Sequence, residues 1–198
     1  MTESSKDFDA VTKTIHLGMA TVLPLQMVGG LFVHDPHTLL YLYVHEYVGI
    51  LAIVILLARW LWIYTASQTS VLFPWGSAGR KKVLADFRNL RSGILPDHQY
   101  GVGLPGFWHG IGLIVYSVLA ATGLVLLFVL PGHHSVLGVS SHNFHLYTET
   151  SLIHKAASYL GWVYLAGHIG LAIFHQVAGD NVLGKMFFLG GRRSMSRR

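Results

Sequence analysis

The chain has 198 residues, 52% hydrophobic and 12% charged, with a formal net charge of +5 and a mean hydropathy of +0.49. A soluble domain carries about twice that charged fraction, so the composition excludes an ordinary soluble globule and leaves no room for a large second domain beside one membrane bundle. There is no cysteine, which removes disulfides, thiolate metal sites and cysteine-ligated iron–sulfur clusters. The basic residues cluster at span ends and tails, so the positive charge is a topology signal rather than a nucleic-acid one.

Residues 1–13 form a polar tail, and its first eleven residues show no basic region, short apolar run and cleavage site in succession. The first apolar span is therefore expected to be retained. Four apolar spans follow, at about Thr14–Val33, Leu39–Tyr64, Phe107–Leu130 and Leu152–Ala178. Each is long enough to cross a bilayer, and backbone groups in lipid must pair within the segment. The predicted fold is an all-α membrane protein, a four-transmembrane-helix bundle over residues 14–180. Pro24 is a possible kink in the first span.

The connection at about 65–106 is too polar to span and is expected along the cytoplasmic surface. It holds Arg80, Lys81, Lys82, Arg88 and Arg91; the C-terminal part, 181–198, adds Lys185, Arg192, Arg193, Arg197 and Arg198. Within that part, Asn181–Leu189 reads as a short interfacial amphipathic stretch. The connections 34–37 and Pro131–Ser151 have neither Lys nor Arg. The asymmetry is expected to put both termini in the cytoplasm. Tyr41, Tyr43, Tyr47, Trp60, Trp62, Trp75 and Trp108 suit interfacial belts.

The fourth span is the most informative. His154, His168 and His175 follow at intervals of fourteen and seven residues, so all three share one helix face. His154 and His168 are about 21 Å apart along the axis, one near each side of a core about 30 Å thick. Gly161 lies midway on that face and leaves room for something flat and bulky. In the predicted topology His45 and His154 are toward the outside, His16 and His168 toward the cytoplasm. Two cross-helix imidazole pairs at two depths suit two haems better than packing histidines. On the second helix, Gly49 can admit a porphyrin and Arg59 can reach a propionate, although a snorkelling anchor is an equal reading of Arg59. Lys155 can serve propionates on the outer side. Glu46 points about 100° from His45 and reads as an outer-surface residue. His109, Tyr116 and Gly123 recur at seven-residue steps, and His109 reads as a propionate or quinone contact or as interfacial packing. His133, His134, His142 and His145 read as solvated loop residues; His34, His37 and His98 carry no usable pattern.

These residues resemble the bacterial cytochrome b561 and nickel–iron hydrogenase cytochrome b family. The resemblance rests on His16, the His45–Gly49–Arg59 set and the His154–His168–His175 set, with Asp180–Asn181 following, and covers about residues 12–189. It implies two haem b groups, with iron ligated at His16, His45, His154 and His168, and electron exchange with a membrane quinone. The long basic loop between the second and third spans departs from the family pattern, as does the histidine-rich outer loop. Whether the chain acts alone, as superoxide-oxidising members do, as a homodimer, or with a partner oxidoreductase subunit stays open. The outer haem, under the loop Pro131–Ser151, is expected to face the external donor. The quinone is expected near the cytoplasmic haem, at His175, with Asp180 exchanging protons. The alternative is a transition-metal or proton transporter with a histidine relay, which the scarcity of carboxylates in the spans disfavours.

Overall fold

The computed structural model describes residues 9–33, 39–66, 69–93, 103–129, 136–137, 143–179 and 182–187. Among them run seven helices: α1 (Ala10–Gly29), α2 (Leu40–Thr65), α3 (Thr69–Leu72), α4 (Ser77–Arg91), α5 (Leu104–Val129), α6 (Phe144–Val177) and α7 (Val182–Met186). Helices α2, α5 and α6 are long and apolar enough to cross a membrane, with mean hydropathies of 2.0, 2.4 and 1.3. Their outward stripes, such as Tyr47, Leu51, Val54, Leu57 and Leu61 on α2, are exposed apolar surface, the pattern of a lipid-facing helix. The other long helix, α1, has 20 residues and carries Lys13, His16 and Gln26.

Local chemistry sets the helix ends. Asp9 caps α1, accepting from the Thr12 N–H at 2.8 Å and the Thr12 hydroxyl at 2.7 Å. Partial burial raises the Asp9 pKa, but the Thr12 bonds outweigh it and the carboxyl lies below its ordinary value. Trp62 Nε1 donates to Thr12 Oγ1 at 2.9 Å, joining this cap to the end of α2. Helix α6 closes at Gly179, whose φ of +101° suits the left-handed position that glycine takes after a helix.

Helices α1 and α2 run antiparallel, as do α5 and α6. The core is formed by Val22, Leu23 and Met27 of α1, Ala52, Leu56 and Ile63 of α2, and Leu113 and Tyr116 of α5. Gly112 of α5 lies directly against the Tyr164 ring of α6, where a Cβ would collide with it. That close approach fixes the depth at which α6 presents its histidines.

Several sequence expectations need correction. The fourth span begins at Phe144 rather than Leu152, because Asn143 caps it by accepting from Leu146 N at 3.0 Å. Its 34 residues extend about 51 Å, well beyond the hydrocarbon core. His145 is therefore helical, 3.6 Å from Glu149 one turn on, rather than in a loop. The polar connection contains the amphipathic helix α4, anchored by Asp86, whose carboxylate accepts from Lys82 at 2.7 Å and from Leu104 N at 3.0 Å. Gly103, at φ +87°, lets the chain turn tightly beneath that carboxylate. Glu46 is not a surface residue: it is buried and accepts from Val136 N at 2.9 Å, because residues 136–137 fold back over the start of α2. His34, His37, His98, His133, His134, His142, Asp180, Asn181 and the basic tail lie outside the described residues.

Candidate functional site

Three residues of α5 face three of α6 in one antiparallel register. His109 lies beside His168 with ring centroids 5.0 Å apart. Tyr116 donates to the Gly161 carbonyl at 3.3 Å. A Cβ on Gly123 would stand 3.4 Å from His154. Both helices repeat at seven residues, so one set of contacts fixes the others. Helices α1 and α2 bring a second row of histidines to the same face of α6. His16 faces His168 at a centroid distance of 6.2 Å, and His45 faces His154 at 6.5 Å.

Those separations have a chemical meaning. A metal–imidazole bond is about 2 Å, and the ring centre lies about 1 Å beyond the nitrogen, so imidazoles on opposite sides of one metal have centroids about 6 Å apart. Both pairs meet that spacing. Among the described residues no group of three or more His, Cys, Asp or Glu is arranged to hold a bare ion. Two facing imidazoles complete the coordination of an iron already held by four porphyrin nitrogens.

The ring nitrogens are prepared for that task. Thr122 donates to the Val118 carbonyl at 2.7 Å, so its oxygen accepts from His154 Nδ1–H at 2.8 Å. In that arrangement the His154 proton sits on Nδ1 and the Nε2 lone pair is available. His109 is held likewise, its Nδ1–H donating to Pro105 O at 2.7 Å. Gln26 Nε2 donates to His45 Nε2 at 3.1 Å, which marks that nitrogen as a lone-pair bearer. The Gln26 amide occupies the space left by Gly49, whose Cβ would come within 2.9 Å of it.

Among the described residues, four side-chain atoms near the pairs are buried without a hydrogen-bond partner: His16 Nδ1, His45 Nδ1, Gln26 Oε1 and Trp108 Nε1. Such groups are costly in a protein interior and mark a site whose polar chemistry needs another component. The paired rings, the Nε2 of His154 and these unpartnered atoms fit a b-type haem, whereas at His45 the Gln26 amide holds Nε2 and would move aside for that nitrogen to bind a metal.

A family model described as prokaryotic cytochrome b561 matches residues 7–189. The chain belongs to the prokaryotic cytochrome b561 family. This is the family that the sequence resembles, and it makes the chain a membrane b-type cytochrome of electron transfer. No curated protein and no solved structure matches the chain.

The remaining expected residues of this cytochrome are spread over the bundle, with Arg59 near the His16–His168 pair, Gly161 midway along α6 and Lys155 next to His154. Arg59 is half-buried, with its charge in electrostatic range of His16, His109, Tyr164 and Asp9. Gly161 is buried, with Met27 and Leu119 against it. His175 is half-buried beside Phe174, and Lys155 is exposed.

Sequence reading missed four contributors. Tyr164 stacks on His168 at 5.6 Å; its place four residues before His168 was the available signal. Phe187, just past α7, covers His16 edge-on at 5.3 Å. Gln26 was detectable as an amide in an apolar span. Thr122 had no sequence signal beyond adjoining Gly123.

Proposed function

We propose that this cytochrome holds two b-type haems, one between His45 and His154 and one between His16 and His168. Through them it carries electrons between a donor or acceptor outside the cell and the membrane quinone pool. In this reading α1 is a fourth membrane-crossing helix, because His16 must reach the depth of His168. The observation that carries it is the pair of imidazole separations, 6.2 and 6.5 Å, at two levels about 21 Å apart along α6.

A bound haem supplies one-electron oxidation and reduction. The chain's residues present the ligands, keep water out and set the charge balance. Arg59 supplies positive charge for a propionate on the cytoplasmic side. His175, surplus to both pairs, is placed to hydrogen-bond a quinone carbonyl and relay its proton, with His109 as the second candidate. The chain acts either as a self-contained quinone-coupled oxidoreductase, such as a superoxide oxidase, or as the membrane subunit of a larger enzyme.

Quantitative haem analysis and reduced-minus-oxidised spectra of the purified protein test this reading. Two low-spin b-type haems per chain are expected, and His154→Ala should empty the outer site. One haem or none in the intact protein would overturn the assignment.

A further inference from the structure

Helix α4 and the turn before it form a surface that electron transfer does not use. Gly79, Val83 and Asp86 lie on the inward side of α4 and are half-buried or buried. Next around the helix comes a stripe of Arg80, Leu84, Phe87 and Arg91, spaced by four, three and four residues, hence on one face. Leu84 is 57% exposed and Phe87 60% exposed. Lys81 and Arg88 form the adjoining exposed stripe. An apolar face edged by arginine and lysine is the pattern of a helix lying in the headgroup layer.

Its place in the fold agrees. The bonds from Lys82 and Leu104 to Asp86 lock α4 to the first residue of the membrane helix α5. Between them opens an apolar cleft of about 320 Å³, lined by Pro74, Trp75, Arg80, Val83, Leu84 and Phe107. Trp75, at one wall, is 66% exposed. Arg80 is the single charged residue of the lining.

We propose that this cleft binds an anionic phospholipid of the surrounding leaflet, its phosphate on Arg80 and an acyl chain against Trp75, Leu84 and Phe107. Charge complementarity selects that occupant. A neutral quinone leaves Arg80 without a counter-charge, whereas an acidic headgroup meets Arg80 first and Lys81, Arg88 and Arg91 beyond it. The apolar wall continues into the start of a membrane span, where acyl chains already lie.

The test uses the full-length haem-loaded protein in vesicles of phosphatidylcholine and phosphatidylglycerol. Bromines are carried on the acyl chains of one lipid or of the other. The Trp75 signal is the fluorescence difference between the protein and its Trp75→Phe variant. Brominated phosphatidylglycerol should quench it in excess of its share of the lipid, and Arg80→Gln should cut that preference about fivefold, the worth of one basic side chain near an anionic surface. Equal quenching by both lipids would overturn the proposal, because the helix would then rest in the interface without selecting a headgroup. Absence of quenching by either would also overturn it, leaving a protein partner to cover the face. Displacement of the preferred lipid by a short-chain quinone analogue would overturn it in favour of a quinone cleft.

Discussion

Thr122 Oγ1 is 2.8 Å from His154 Nδ1. With the Thr122 hydroxyl hydrogen on Val118 O at 2.7 Å, its oxygen accepts from His154 Nδ1–H. Outer partners of this kind orient a ligating imidazole and raise its basicity, and their loss typically costs about 10–100-fold in affinity. Thr122→Val should therefore weaken haem retention at the outer site by about that factor. It should also raise that haem's midpoint potential, since a less basic ligand favours the oxidised iron less. Thr122→Ser should restore both properties. Haem titration of the depleted protein and a redox titration read the two effects; an unchanged potential in Thr122→Val would remove the hydroxyl from the site. His175 calls for the complementary measurement. His175→Ala should keep both haem spectra and slow electron exchange with a quinone analogue severalfold; unchanged kinetics would move the quinone toward His109.

At the scale of elements, the loop between α2 and α5 is held by one carboxylate. Asp86 is 1% exposed and joins Lys82 to the first N–H of α5. It acts as an N-terminal cap supplied by a different helix, with its negative charge at the positive end of the α5 dipole. Asp86→Ala takes the acceptor from the Leu104 N–H and leaves the half-exposed Lys82 ammonium to solvent, and should cost about 1–2 kcal/mol. Asp86→Asn, which still accepts a hydrogen bond, should cost less. Thermal unfolding in detergent checks the order. Because α4 also forms one wall of the cleft at Trp75, Asp86→Ala should increase proteolysis within residues 76–93 while leaving the haem spectra intact. The α5–α6 contact responds differently, since Gly112 and Tyr164 belong to the histidine register itself.

For the whole molecule, the proposed topology turns on α1 crossing the membrane. With basic residues on α4 and neither Lys nor Arg in Pro131–Ser151, reporters at residues 85 and 137 are expected to read opposite sides. A reporter at the N-terminus should read the same side as one at residue 85, because α1 then spans and delivers His16 to the cytoplasmic level. If the N-terminus reads with residue 137, α1 does not cross and the His16–His168 pairing at that depth fails with it. The first turns of α6 and the bond from Val136 N to Glu46 lie on the side of His45 and His154, where the proposed external donor would approach.

The sequence by itself determined what depends on local periodicity and composition. Membrane character follows from the hydropathy of α2, α5 and α6. The alignment of His154, Gly161 and His168, and of His109, Tyr116 and Gly123, follows from the pitch of a helix, which every seven-residue step obeys wherever the helix lies. The histidine pairings were legible too, because depth follows from position along a span and from the charge of the connections. Only the tertiary structure decided which side chains fill the spaces between those rows. It brought His109 against His168, the Gln26 amide into the space beside Gly49, Phe187 over His16, and residue 136 onto Glu46. Those contacts join segments far apart in the chain, and they depend on how helix faces mesh and on bonds between helices. No spacing within a single helix encodes them.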